Sequence, residues 1–104
     1  MLFNDVLASL PTIDHLSALE LLDGEQIVAR IENKPGQAGS MRVYHALYQE
    51  FGAINTVAAA KGVRLYAEYS ADAIAFPNKH PNIDRLLTLA TAGQPFAVRL
   101  IAAG

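Results

Sequence analysis

The sequence predicts an α+β domain of two layers, in which a small antiparallel sheet, made of an N-terminal hairpin and a C-terminal strand, is packed with three or four helices. Three observations lead there. Asp23-Gly24 stands between two apolar runs, which is the signature of a tight hairpin turn. Residues 96–101 alternate after Pro95, with Phe96, Val98 and Leu100 on one face and Ala97, Arg99 and Ile101 on the other. Between hairpin and last strand, apolar residues recur at helical spacing and are separated by Pro- and Gly-rich breaks. A chain of 104 residues holds one core, so a single domain over 1–104 is expected.

The first element is a helix. Leu2, Val6 and Leu10 form a stripe flanked by Phe3 and Leu7, and Pro11 ends it. The hairpin follows over residues 18–32, turning at Asp23-Gly24, with Ile27, Ala29 and Ile31 facing inward and Val28, Arg30 and Glu32 outward. Asn33 to Gly39 reads as a loop, and Ser40 as the N-cap of a helix over 41–51 that carries Tyr44, Leu47, Tyr48 and Phe51. Gly52 closes that helix in a left-handed cap.

From Asn55, a natural cap, two readings compete. Ala58, Gly62, Leu65, Tyr69, Ala73 and Phe76 continue one helical stripe to Pro77, while Val63, Leu65, Ala67 and Tyr69 alternate as a strand would. The length of the stripe and the alanine content favour helix. Pro77-Asn78-Lys79-His80-Pro81 is a second breaker-rich loop, after which Asn82 is placed to cap a helix bearing Ile83, Leu86, Leu87 and Ala90, ended by Gly93.

Composition narrows the function classes. A net charge of −2, with Lys and Arg scattered along the chain, lacks the basic excess that phosphate backbones require, so no nucleic-acid partner is expected. There is no cysteine, which removes disulfides, thiolate nucleophiles and sulfur-ligated metals. No segment approaches the roughly 20 apolar residues of a membrane span, and the N-terminus lacks the pattern of a signal peptide. The expectation is a soluble cytoplasmic protein.

No phosphate loop, dinucleotide fingerprint, metalloprotease or serine-hydrolase motif is present. Two polar loops remain. Lys34, Gly39 and Ser40 would bring a charge, an amide and a hydroxyl to a helix N-terminus, whose free N–H groups and dipole favour an anion such as phosphate. The ordinary alternative is a capped turn. Lys79, His80 and Asp84 form the second candidate, with His80 oriented by Asp84 as a base or ligand, against the plain reading of a capped surface turn. His15, His45 and His80 lack the spacing of a metal site, and neither a metal nor a cofactor is expected. His45, beside Tyr44 and Tyr48, reads as a partly buried structural histidine. Tyr44, Tyr48, Tyr66 and Tyr69 read as core, or as an interface if they share one side.

The stretches Ile31-Glu32-Asn33-Lys34-Pro35-Gly36, Gly39-Ser40 with Val43-Tyr44, Phe51-Gly52-Ala53-Ile54-Asn55, and Lys79-His80-Pro81-Asn82-Ile83-Asp84-Arg85-Leu86 resemble a small family of bacterial proteins known as a domain of unknown function. The resemblance implies a bacterial, cytoplasmic, single-domain protein and transfers no catalytic residue. Two functions are therefore carried forward. One is a non-catalytic binding or interaction domain that forms a homodimer. The other is a small-molecule or phosphate-type anion site where the 34–40 loop meets His80 and Asp84.

Overall fold

The computed structural model describes residues 2–104. It is an α+β domain in the order α1 (Phe3–Ser9), β1 (Leu16–Asp23), β2 (Gln26–Glu32), α2 (Ala38–Phe51), α3 (Thr56–Leu65), α4 (Glu68–Ala75), α5 (Pro81–Thr91) and β3 (Ala97–Ala102). The sheet is antiparallel with β1 in the centre, ordered β2-β1-β3. Five helices are thus observed among the described residues, where three or four were expected.

The hairpin forms where the sequence places it, but its turn is displaced by one residue. Asp23 pairs with Gln26, so Gly24 and Glu25 are the turn, and Gly24 takes the positive φ of 62°. Only the first turn residue needs that conformation, which suits a Gly-X turn better than the Asp-Gly one expected. The alternation in β2 also breaks. Leu21 pairs with Ala29, whereas Leu22 pairs with Ile27, so Val28 is an extra, bulged residue. Ala29 and Ile31 keep the inner face, but the bulge turns Ile27 outward and leaves it 47% exposed.

The inner face of the sheet supplies Leu19, Leu21 and Ile31 to the core, where they meet Met41, Tyr44 and Leu47 of α2 and Leu86 of α5. α3 packs chiefly on α5. A Cβ at Gly62 would lie 2.6 Å from Leu86 Cδ1 and 2.8 Å from Leu47 Cδ1, so only glycine lets α3 approach both partners this closely. On the outer face Glu20 is clamped between the edge strands: Arg99 Nε donates to it at 2.8 Å and Arg30 Nη1 at 3.0 Å. Arg99 first, and Arg30 after it, hold the Glu20 carboxyl below the ordinary range.

Three helix boundaries depart from expectation. α2 begins at Ala38, ahead of Ser40, because Lys34 O accepts from both Gln37 N and Ala38 N and winds the loop directly into the helix. Gln37 is the N-cap, and its side chain is engaged elsewhere, accepting from Glu32 N at 2.9 Å. α5 begins at Pro81 with His80 at the N-cap, since proline's fixed φ suits the first helical position, and Asn82 therefore lies inside the first turn. The segment 56–76 is helical but not continuous. Asn55 caps α3 by accepting from Ala58 N at 2.8 Å, as expected, whereas Ala67, at φ 53° and ψ −123°, separates α3 from α4. Tyr69 N donates to Tyr66 O at 3.1 Å across that break. Ala67 thus holds a turn position that normally belongs to glycine.

Among the described residues, no helix is long and apolar enough to cross a membrane.

Candidate functional site

A cleft of about 370 Å³ opens where the first turns of α2 and α5 face the wall made by α1 and the α3–α4 junction. Gly36, Gly39 and Ser40 line one side, and Lys79, His80, Pro81 and Asn82 the other. Phe3, Leu7, Tyr66 and Tyr69 supply the apolar wall. Each feature has a local cause. The positive φ of Gly36 (90°) carries the loop into α2, Pro81 starts α5, and the turn at Ala67 points both Tyr66 and Tyr69 at the same space.

The polar side of the cleft has unused donors. Ala38 N and Met41 N bond to Lys34 O and Gln37 O, but the amides of Gly39 and Ser40 between them meet no acceptor among the described residues. In α5, Ile83 N and Asp84 N both bond to His80 O, and the Asn82 amide is likewise free among those residues. These are the open N–H groups that a helix leaves at its start, with the positive end of the helix dipole behind them.

Tyr66 adds a hydroxyl. It is only 3% exposed, and among the described residues its oxygen has no hydrogen-bond partner. Burial, followed by the neighbouring Tyr44, pushes its pKa well up, so the hydroxyl stays protonated and able to donate. The Ser40 side chain stands close enough to oppose that shift, yet the geometry between the two hydroxyls is not that of a formed hydrogen bond. An orphaned hydroxyl in a protein interior is uncommon.

At the rim, His80 Nε2 lies 2.6 Å from Asp72 Oδ2, and Lys79 Nζ lies 2.9 Å from the same oxygen. His80 first, then Lys79, hold the Asp72 carboxyl below its usual range. With Asp72 ionised, His80 Nε2 is the donor in this contact and Nδ1 is left as the second ring position. Behind the α5 turn, Arg85 Nη1 donates to Asn82 Oδ1 at 2.9 Å and to the Tyr44 hydroxyl at 3.0 Å, and that hydroxyl donates to Asn82 O at 2.5 Å. Burial of Tyr44 pushes its pKa up to about 12, against the pull of Arg85. Asn82 is therefore held from behind by the buried Tyr44 and by Arg85.

A family described as an uncharacterized protein conserved in bacteria (DUF2322) matches residues 3–100. The chain belongs to DUF2322. No curated protein and no solved structure matches it. The DUF2322 match runs from Phe3 into β3 and contains every residue of the cleft. It agrees with the resemblance read from the sequence and assigns no activity.

Of the residues singled out in the sequence, the fold brings Gly39, Ser40, Lys79 and His80 to one cleft. Lys34 and Asp84 are not part of its lining. Lys34 Nζ pairs with Glu32 at 2.9 Å, and that pairing holds the Glu32 carboxyl below its usual range. Asp84 Oδ2 accepts from Asn78 N at 2.9 Å and pins the loop ahead of α5. The partner of His80 is Asp72 instead, one helix earlier. Sequence reasoning gave Asp72 and Phe3 no part in a site, and read Tyr66 and Tyr69 as core or interface. The one available signal was the tyrosine pair three residues apart, which the turn at Ala67 converts into two neighbours on a wall.

His45, expected to be partly buried, is 1% exposed, and neither ring nitrogen has a hydrogen-bond partner among the described residues. Its ring meets that of His15 at 5.8 Å. Among the described residues no group of three or more His, Cys, Asp or Glu stands close enough to hold a metal ion.

Proposed function

We propose that this protein binds a small molecule through a phosphate-type anionic group, held in the cleft between the first turns of α2 and α5. The observation that carries this reading is the Tyr66 hydroxyl, buried without a partner where three main-chain amides also lack one. A buried donor left unmet, as the Tyr66 hydroxyl is, is costly, and one anion would satisfy it together with the amides. Helix N-termini supply that kind of site. Lys79 adds a rim charge whose share of the affinity is screened by salt.

The test is titration of inorganic phosphate, followed by amide NMR. Saturable shifts at Gly39, Ser40 and Asn82 are expected, weaker binding in Lys79→Ala, and unchanged binding in Lys34→Ala because Lys34 does not line the cleft. Absence of saturable shifts at those amides would end the proposal. Self-association is a second reading, supported by Ile27 and Val28, both exposed on the edge strand β2. Light scattering checks it, and a monomeric mass across the accessible concentration range would remove it.

A further inference from the structure

We infer that the anion belongs to a small phosphate ester whose other half is flat and unsaturated, an aryl or nucleobase phosphate of about nucleotide size. The inference rests on the reading of the cleft as an anion site and specifies what enters it.

Size comes first. A water molecule claims about 30 Å³, so a cleft of about 370 Å³ holds far more than an orthophosphate ion. Clefts of this volume suit organic ligands. Donor number selects the anion. Three amides, from Gly39, Ser40 and Asn82, and two hydroxyls, from Ser40 and Tyr66, belong to residues that line the cleft. That is more than the roughly four lone-pair sites of a carboxylate can take, and it suits the three terminal oxygens of a phosphate ester.

The wall then selects the organic part. Tyr66 stacks on Phe3 with centroids 5.4 Å apart and planes 14° apart. Tyr69 meets Phe3 edge-on at 5.4 Å, and His80 tilts onto Tyr69 at 5.9 Å. Four rings therefore form one row along the cleft. The row is closed at Phe3 and Tyr66 and open at Tyr69, which is 43% exposed. A sugar laid along it would set hydroxyls against ring carbons, where they lose water and find few partners. A flat π-system would gain ring contact instead.

The experiment is calorimetric titration of the full chain with inorganic phosphate, ribose 5-phosphate, phenyl phosphate and a nucleoside monophosphate. At least one aromatic ester should bind about tenfold or more tighter than ribose 5-phosphate, the scale of a stacking contact. The tighter of the two esters names the body that fits. Tyr69→Leu should erase that gap, and Tyr69→Phe should preserve it. Half-exposure of Tyr69 makes both variants compatible with folding, which far-UV circular dichroism verifies. Ribose 5-phosphate binding as tightly as both aromatic esters, or a gap that survives Tyr69→Leu, overturns the inference and leaves the anion site standing. Absence of binding by every phosphate overturns both.

Discussion

Replacing Tyr66 by phenylalanine removes one oxygen and leaves the ring, its volume and its stacking on Phe3 in place. That oxygen is buried and has no partner among the described residues. Its desolvation therefore works against the fold by about 1–3 kcal/mol. Without ligand, Tyr66→Phe should be more stable than the parent by about 1–2 kcal/mol, taking the lower part of that range. For a domain of this length each kcal/mol moves Tm by about 4–8 °C. With ligand this advantage is offset, because a hydrogen bond to a charged acceptor contributes about 1.5–3 kcal/mol. The variant should then bind phosphate about 10- to 100-fold more weakly. Thermal unfolding with and without saturating phosphate measures both halves. A variant no more stable than the parent in phosphate-free buffer would mean that the hydroxyl is already satisfied by solvent, and the reasoning would fail at its first step.

Further outcomes follow from the core and from two unusual positions. Leu47→Ala should destabilise by about 2–5 kcal/mol in urea unfolding, since the side chain is fully buried among α3 and α5 residues. Ala67→Gly should stabilise by about 1 kcal/mol, because a strained non-glycine backbone costs about 1–3 kcal/mol and glycine's extra chain entropy offsets about half to one of that. An unchanged or lower midpoint would show the turn to be unstrained. His45 governs the acid limb: burial first, then His15, lowers its pKa from 6.5, so the folded state resists a proton that the unfolded state takes up. Its contribution is fully present above about pH 6.5. It is lost as pH falls through the folded pKa, ahead of the window in which Asp72 and Glu20, whose pKa values are also lowered, titrate. His45→Leu should flatten the first drop in Tm between about pH 7 and 5 while leaving the later carboxylate limb intact; an unaltered profile would place the sensitivity elsewhere.

How much was legible in the sequence depended on how local its cause was. Asp23-Gly24, Gly52 and Asn55 act on their own neighbours, so hairpin, helix end and helix start could be read from them. The alternation at Phe96, Val98 and Leu100 located the last strand, with the observed β3 one residue later. The misreadings arose where a distant or unusual contact prevails over the local pattern. Val28 is bulged only because β1 sets the register, and nothing in β2 itself marks it. Ala67 adopts a glycine conformation without being glycine, so no sequence signal breaks the stripe between Leu65 and Tyr69. Ser40 looked like a cap because capping residues are recognised by type, yet the chain turned into helix from Lys34 onward. The cleft was half visible for the same reason. Gly39, Ser40, Lys79 and His80 sit on breaker-rich loops that announce themselves, whereas Phe3, Tyr66 and Asp72 join them only through packing of helices far apart in the chain.

The clamp on Glu20 has a consequence for the order in which the sheet assembles. β1 can pair with β2 as soon as the hairpin closes, but its other edge waits for β3, whose Arg99 lies 79 residues further along. Contacts of that span form slowly, and in the interval β1 exposes an open, apolar edge of the sort that recruits strands from other chains. Glu20 lies in the middle of that edge. A foreign strand that offers no cation opposite it buries a carboxylate beside Arg30 alone, whereas β3 arrives with Arg99 in register. The pairing of Glu20 with Arg99 thus favours β3 over a strand that brings no cation to that position.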